Sequence, residues 1–328
     1  METVARARTL RLPRTVSPRA EPLAALARCC YPDMAVYVEE EDDAAGWRVR
    51  IAPVGELTRA HDSGIAAALA ANGIGFDDMM GWHHLVDAGS LIWLEAMYHS
   101  WALPAWSHAG RRSAGLRPWL VHVAPHDDLG VPALLGGNGP GVLLATMEDI
   151  TIDLCDPAVV RSAIDGGLIG VGSYIAPCLH AWPGDMVHLA PAGRPGDTRA
   201  AWRFAVEAET PGTASPLVLR ECVDGPCSYR RTADPTTLAD GWTPGQPVLL
   251  NISLAYFELL AKRRREPLAR PCSIDELVAG LRPLAPWVVA VTVAYAPGSC
   301  PAERWASLSG ELRQALMALF DAAPASSA

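Results

Sequence analysis

Lysine is nearly absent from this chain: Lys262 is the single lysine among 27 basic residues, and the others are arginines. Acidic residues number 36, which gives a formal net charge of −9 and a sequence pI of about 5.5. Proteins that bind nucleic acid without sequence preference need a broad positive surface, so we expect no nucleic-acid partner. The preference for arginine, with 28 glycines and 28 prolines, is typical of a GC-rich bacterial genome.

The chain also lacks an uninterrupted apolar segment of membrane-spanning length. Residues 283–302 carry no charge, but four prolines interrupt them and the stretch 288–293 is β-branched, which predicts a buried strand. Five arginines and no apolar segment mark the first twenty residues, so we expect no secretory signal and a cytoplasmic protein. Residues 1–28 are interpreted as a mobile basic arm.

None of the eight cysteines forms a Cys-x-x-Cys pair. Reduced thiols buried in the core are therefore expected. Cys222 and Cys227 flank a predicted turn, and a disulfide or a metal clip at that place remains an alternative.

Half of the residues are apolar, and short apolar runs alternate with helical patterns over most of the chain. This order predicts a single α/β domain over 29–322, with a mostly parallel sheet covered by helices on both faces, and a frayed tail at 323–328. A β-hairpin is expected at 31–57 and a β-rich insertion at 199–231. The predicted strands are 118–124, 141–146, 185–190, 247–255 and 287–295, and the predicted helices are 59–73, 86–101, 157–166, 273–282 and 301–322.

Polar side chains follow several of these predicted strands. Ligands of open α/β sheets bind at the carboxyl ends of the parallel strands, so these positions predict the functional site. We assign catalytic roles to His126, Asp127 and Asp128, which end the strand 118–124, since a histidine beside a carboxylate suits acid–base chemistry. The residues expected to bind a ligand are Glu148, Asp149, Asn251, Ser253 and Tyr295.

Other motifs are better explained by structure than by chemistry. His122 is interpreted as a core histidine that faces helices on the other side of the sheet. The glycine-rich residues 134–141 precede a strand, whereas a phosphate-binding loop opens a helix, so they predict a connecting loop. Asp156 and Pro157 predict a helix start. The basic run 262–265 predicts a solvated surface, with a grip on an acidic peptide as the alternative.

Four segments, taken together, resemble one family. They are Leu120-Val-His-Val-Ala-Pro-His-Asp-Asp-Leu129; Gly172-Ser-Tyr-Ile-Ala-Pro177 followed by Asp185-Met-Val-His-Leu-Ala-Pro191; Pro247-Val-Leu-Leu-Asn-Ile-Ser-Leu-Ala-Tyr-Phe257; and Val291-Thr-Val-Ala-Tyr-Ala-Pro-Gly298. In this order they are similar to the motifs of an uncharacterised arginase-fold family that includes the peptide arginases, and the resemblance covers roughly residues 80–320. Peptide arginases convert arginine side chains of ribosomally made peptides to ornithine. The resemblance therefore implies an arginase-like fold and a peptide substrate or partner protein.

The resemblance also implies a dinuclear Mn²⁺ centre, in which metal-bound hydroxide attacks the guanidinium carbon. His126 and Asp128 match ligand positions of the family motif, and His83 or His84 is expected to supply an upstream histidine. Two cations held close together need bridging carboxylates. This chain departs from that pattern because Ala124, Asn251, Ser253 and Ala255 stand where the family motif has aspartates.

With so few acidic ligands left, we expect no metal cofactor, and His126, Asp128, His83 and His84 are only weak candidate ligands. Three functions remain open. The first is a divergent protein that has lost the metals and binds a peptide or an arginine-like ligand, in the context of ribosomal peptide tailoring. The second is an enzyme that uses the pocket at His126 and Asp128 for other chemistry. The third is a hydrolase of the arginase type, an active peptide arginase with relocated ligands.

Overall fold

The computed structural model of the chain describes residues 8–13, 34–40, 46–53, 62–76, 78–112, 115, 117–132, 134–136, 141–145, 150–191, 200–210, 215–258 and 271–323. Seven α-helices lie in these residues. They are α1 (Ile65–Ala71), α2 (Ala102–Arg112), α3 (Pro157–Asp165), α4 (Ile175–Ala181), α5 (Leu254–Phe257), α6 (Ile274–Leu281) and α7 (Trp305–Ala322).

A three-stranded antiparallel sheet forms near the amino terminus, in the order β1-β3-β2. Its strands are β1 (Arg8–Pro13), β2 (Met34–Glu40) and β3 (Gly46–Pro53). β2 and β3 pair within the segment predicted as a hairpin, and β1, which lies inside the segment interpreted as a mobile arm, pairs with β3.

The other strands of the described residues form one sheet of 12 strands. They are β4 (His83–Asp87), β5 (Ile92–Ala96), β6 (Trp119–Val123), β7 (Leu135–Gly136), β8 (Val142–Ala145), β9 (Ile150–Asp153), β10 (Asp185–Leu189), β11 (Ala201–Ala208), β12 (Ser215–Glu221), β13 (Cys227–Thr232), β14 (Val248–Ser253) and β15 (Val288–Ala294). Their order across the sheet is β4-β5-β15-β14-β6-β10-β13-β11-β12-β7-β8-β9.

The sheet is mixed, and the expectation of a mostly parallel sheet was wrong. The central strands from β5 to β13 pair in parallel, whereas β4 and all strands beyond β13 pair antiparallel. Strands β11, β12 and β13, within the segment predicted as a β-rich insertion, continue this sheet. Their hydrophobic alternation predicts strands but carries no information on which sheet they join.

The helix predicted at 86–101 was also wrong, because that segment contains the last two residues of β4 and all of β5. Every residue of β5 is buried, so its apolar run shows neither a two-residue nor a helical period. By contrast, the predicted start of α3 is confirmed: the Asp156 carboxylate accepts a hydrogen bond from the Ala158 amide, and Pro157 occupies the first helical turn.

The parallel centre of the sheet forms the core. All residues of β6 and β14 are buried, as are those of β5, which indicates cover on both faces of these strands. Cys222 and Cys227 are both free thiols. Among the described residues, no helix combines the length and the apolar character that crossing a membrane requires.

Candidate functional site

The candidate site lies at the carboxyl ends of β5, β14 and β6, three of the parallel strands. His122 of β6 pairs in register with Asn251 of β14, which in turn pairs with Thr292 of β15. Residues paired across a sheet point to the same face, so these three polar side chains form one row. His188 of β10 extends the row on the other side of His122.

The loop after β6 carries Asp128 over this row. Asp128 has φ of 51°, a left-handed conformation that aspartate tolerates better than most residues. The Gly130 amide donates to the Gly172 carbonyl at 2.9 Å, which ties this loop to the segment before α4. A Cβ atom at position 130 would lie 2.6 Å from that carbonyl oxygen, so the close approach of the two loops requires glycine.

His122 is buried, and both of its ring nitrogens have partners. Nε2 lies 2.8 Å from the His126 carbonyl oxygen, and Nδ1 lies 2.9 Å from Nδ2 of Asn251. Burial, reinforced by the neighbouring His188 and His99 rings, holds the pKa of His122 well below its ordinary value, so the ring is neutral. The prediction that His122 is a core histidine is confirmed. The predicted orientation was wrong, because the ring does not face away from the site. His122 and Ala124 lie two residues apart on a strand and share a face, and Nε2 of His122 lies 3.5 Å from Asp128.

Asn251 connects three other side chains. Its Nδ2 donates to Nδ1 of His122 at 2.9 Å and to the Tyr174 hydroxyl oxygen at 2.7 Å. Its Oδ1 accepts a hydrogen bond of 2.7 Å from the Thr292 hydroxyl. The whole amide is therefore used in hydrogen bonds within the protein.

Asp128 ends this network at the surface. Its Oδ2 accepts from the Tyr174 hydroxyl at 3.2 Å and lies 3.6 Å from Nδ1 of His99 and 3.5 Å from Nε2 of His122. Its side chain is 12% exposed. Burial, with the adjacent Asp128 charge, raises the pKa of Tyr174 well above its ordinary value, so Tyr174 keeps its proton.

His99 was missed by the sequence reasoning. It follows β5 directly, in a short 3-10 turn before α2, and is 8% exposed. Burial, with a contribution from His126, lowers the pKa of His99 to about 4, so this ring is also neutral near pH 7. Its Nδ1 is buried and forms no hydrogen bond with any residue that the structure describes. The signal that could have found it is its position at the carboxyl end of a parallel strand, which the wrong helix at 86–101 concealed.

The remaining predicted residues fall in several places. His126 and Asp127 are exposed at the same strand end as Asp128, and the Asp127 carboxylate accepts from the Leu129 amide at 3.3 Å. Ser253 is fully buried, and its hydroxyl caps α5 by accepting from the Ala255 amide. Glu148 and Asp149 lie outside the described residues.

Tyr295 lies away from this cluster. Its hydroxyl donates to Oε2 of Glu95 at 2.9 Å. Val293 pairs in register with Glu95, so Glu95 points to the face opposite Thr292. Burial, with the adjacent Glu95 carboxylate, raises the pKa of Tyr295 to about 12.

His83 and His84, the histidines expected as further metal ligands, do not lie beside Asp128 in the candidate site. His83 stacks on Trp101 with ring centroids 4.0 Å apart, and its Nδ1 lies 2.9 Å from the Gly81 carbonyl oxygen. Burial lowers the pKa of His83, partly offset by that carbonyl. His84 is exposed on the edge strand β4.

The donor set does not fit a dinuclear manganese centre. Within the described ranges, no group of three or more His, Cys, Asp and Glu side chains is placed to hold a metal ion. Ala124 has no donor atom, and the Asn251 amide turns Nδ2, which cannot coordinate a cation, towards His122 and Tyr174. The row that would have to supply bridging carboxylates is instead a closed set of neutral hydrogen bonds.

A comparison with protein-family models finds no match to this chain, and a comparison with curated protein sequences finds none.

Proposed function

We propose that this protein is a divergent, arginase-like protein that lacks a dinuclear metal centre and binds a peptide through an arginine-like side chain at Asp128. The proposal rests on the four motifs that resemble the peptide-arginase family and on the chemistry of the site. The observation that carries it is the Asp128 carboxylate, which reaches the surface at the carboxyl edge of the sheet beside two neutral histidines.

Electrostatics favour a cationic ligand at this place. The Tyr174 hydroxyl, the third described neighbour of Oδ2, is uncharged as well. A guanidinium can donate to a carboxylate through its planar fork of N–H bonds. Each such charge-assisted contact is worth about 1.5–3 kcal/mol, which corresponds to roughly a tenfold to hundredfold change in affinity.

The test is calorimetric titration with two short peptides, in buffer containing EDTA. One peptide carries a central arginine, and the other carries citrulline, which has nearly the same shape but no charge. We expect the arginine peptide to bind at least about tenfold more tightly than the citrulline peptide, and Asp128→Asn to remove that difference.

The matched control is Glu95→Gln, which neutralises a carboxylate of similar exposure on the opposite face. This variant should keep the preference for arginine. Equal binding of the two peptides by the unmodified protein would refute the proposal, and mass spectrometric detection of ornithine in the bound peptide would favour the arginase reaction instead.

A second function is favoured by one observation. His126 is exposed at the same strand end as Asp128, which suits an acid–base reaction on a bound peptide. In that case, incubation would change the mass of a peptide substrate, and His126→Ala would abolish the change. A His126→Ala variant with full activity would exclude this role.

A further inference from the structure

The orientation of the Asn251 amide is fixed by its neighbours. Nε2 of His122 faces the His126 carbonyl oxygen, which can only accept, so Nε2 must carry the proton of this neutral ring. Nδ1 of His122 is then an acceptor and needs a donor. Asn251 supplies it from Nδ2, while the Thr292 hydroxyl donates to Oδ1.

This orientation determines where the Tyr174 proton points. The second N–H of the Asn251 amide donates to the Tyr174 oxygen at 2.7 Å. The Tyr174 hydroxyl therefore does not donate to Asn251, and its proton is directed to Oδ2 of Asp128 at 3.2 Å. Four side chains on four segments thus place one hydroxyl donor on the surface carboxylate.

An aspartate at position 251, as in the motif that the chain resembles, would reverse this direction. A carboxylate has no N–H to donate, so Tyr174 would donate to it and would leave Asp128 without that hydrogen bond. The same carboxylate would favour a charged His122 ring. The change from aspartate to asparagine therefore does more than remove a metal ligand, because it redirects the hydroxyl donor.

We propose that Asn251 and Tyr174 are positioning residues that direct a hydroxyl donor onto Asp128 and fix the orientation of the carboxylate that recognises a cationic side chain. This inference rests on the proposed function for the nature of the ligand. A hydrogen bond to the charged form of a carboxylate favours that form and restricts its rotamers.

The experiment measures arginine-peptide binding as a function of pH for Tyr174→Phe, a variant that keeps the ring and loses only the hydroxyl. We expect the Kd at pH 7 to rise about threefold to tenfold and the acid midpoint of binding to move up by about one pH unit. Asn251→Asp should also raise the Kd at pH 7, because Tyr174 would then donate to the new carboxylate and a charged His122 ring would compete for Asp128.

The matched control is Tyr256→Phe, which removes another buried hydroxyl, one that contacts Cys272 rather than the site. It should leave both the Kd and the midpoint unchanged. An unchanged midpoint in Tyr174→Phe would overturn the inference.

An NMR titration of the Asp128 carboxyl in ligand-free protein separates this inference from the proposed function. An upward shift of about one pH unit in Tyr174→Phe supports the inference even where no peptide binds, in which case the proposed function alone fails. If the unmodified protein binds the arginine peptide but Tyr174→Phe leaves the Asp128 titration unshifted, the proposed function is supported and the role of Tyr174 is refuted.

Discussion

Asp128 and Glu95 are carboxylates of nearly equal exposure on opposite faces of the parallel part of the sheet, and their neighbours differ in charge. The Asp128 side chain is 12% exposed, and that of Glu95 is 11% exposed. Glu95 accepts from Trp93 Nε1 and from the Tyr295 hydroxyl, both at 2.9 Å, and forms an ion pair of 3.3 Å with Arg313. The guanidinium of Arg313 also lies 5.4 Å from the centre of the Trp93 ring.

The two carboxylates therefore differ in their neighbours rather than in their burial, which is why we assign Glu95 a structural role and propose a ligand-binding role for Asp128. Glu95 has a permanent cation and two well-placed donors, an arrangement that stabilises a fold. The described neighbours of Asp128 include the Tyr174 phenol and the imidazoles of His99 and His122, and burial lowers the pKa of both imidazoles. Glu95 therefore forms an ion pair with a described arginine, whereas the described residues within reach of Asp128 Oδ2 that are named above are neutral.

The largest effect we expect is a loss of stability in acid, caused by protonation of the buried histidines beside Asp128. Burial lowers the pKa of His99 from 6.5 to about 4, so the unfolded chain binds a proton more readily between these values. Stability is therefore intact above pH 6.5 and falls by up to about 3 kcal/mol as the pH drops to 4, with His122 adding in the same direction. Urea denaturation at a series of pH values measures this.

A His99→Asn variant should flatten that pH dependence. The control is His84→Asn. His84 is exposed and lies opposite Glu95 in the register of β4 and β5, and its loss should leave the dependence of stability on pH unchanged. If His99→Asn and the unmodified protein lost stability equally with falling pH, His99 would not be a neutral buried histidine in the folded protein.

Neutralising the two carboxylates should affect stability unequally. Glu95→Gln weakens two charge-assisted hydrogen bonds in a buried setting, and we expect a loss of about 2 kcal/mol in the free energy of unfolding. Asp128→Asn weakens the longer hydrogen bond from the Tyr174 hydroxyl, and we expect a smaller loss than in Glu95→Gln. Chemical denaturation at pH 7 measures the free energy of unfolding of both variants. Equal losses would contradict the different roles that we assign to the two carboxylates.

The smallest expected effect concerns Ala296, which, like Asp128, has a positive φ among the residues that the structure describes. Ala296 has φ of 54° just after β15, where its amide donates to the Met97 carbonyl. Glycine adopts this conformation without the steric cost, so Ala296→Gly should stabilise the protein by about 0.5–1 kcal/mol. A thermal shift assay measures it, and a lower Tm would show that the buried methyl group matters more than the backbone conformation.

Much of the parallel centre could be predicted from the sequence. β6, β10, β14 and β15 coincide with predicted strands to within one or two residues, because short β-branched runs between turn residues predict strands well. The pairing of the antiparallel strands could not be predicted in the same way. Strand pairing partners depend on tertiary packing, which local hydrophobic patterns do not encode.

The site was predicted only in part. Asp128 and Asn251 could be found from the strand-end rule and the resemblance, and the structure links them through Tyr174. Tyr174 itself carried no sequence signal of its role, since a buried tyrosine before a helix is most often part of the core. Tyr295 follows a parallel strand as Asp128 does, yet its side chain points to the other face, which the strand-end rule does not specify.

The most direct test of the account is the metal content of the protein after expression in medium supplemented with Mn²⁺. We propose that neutral hydrogen bonds around Asn251 stand where the motif that the chain resembles has metal-binding aspartates. Elemental analysis of the purified protein should therefore find well below one manganese ion per chain, with no change in the affinity for the arginine peptide after treatment with EDTA. Two bound manganese ions per chain would contradict the claim.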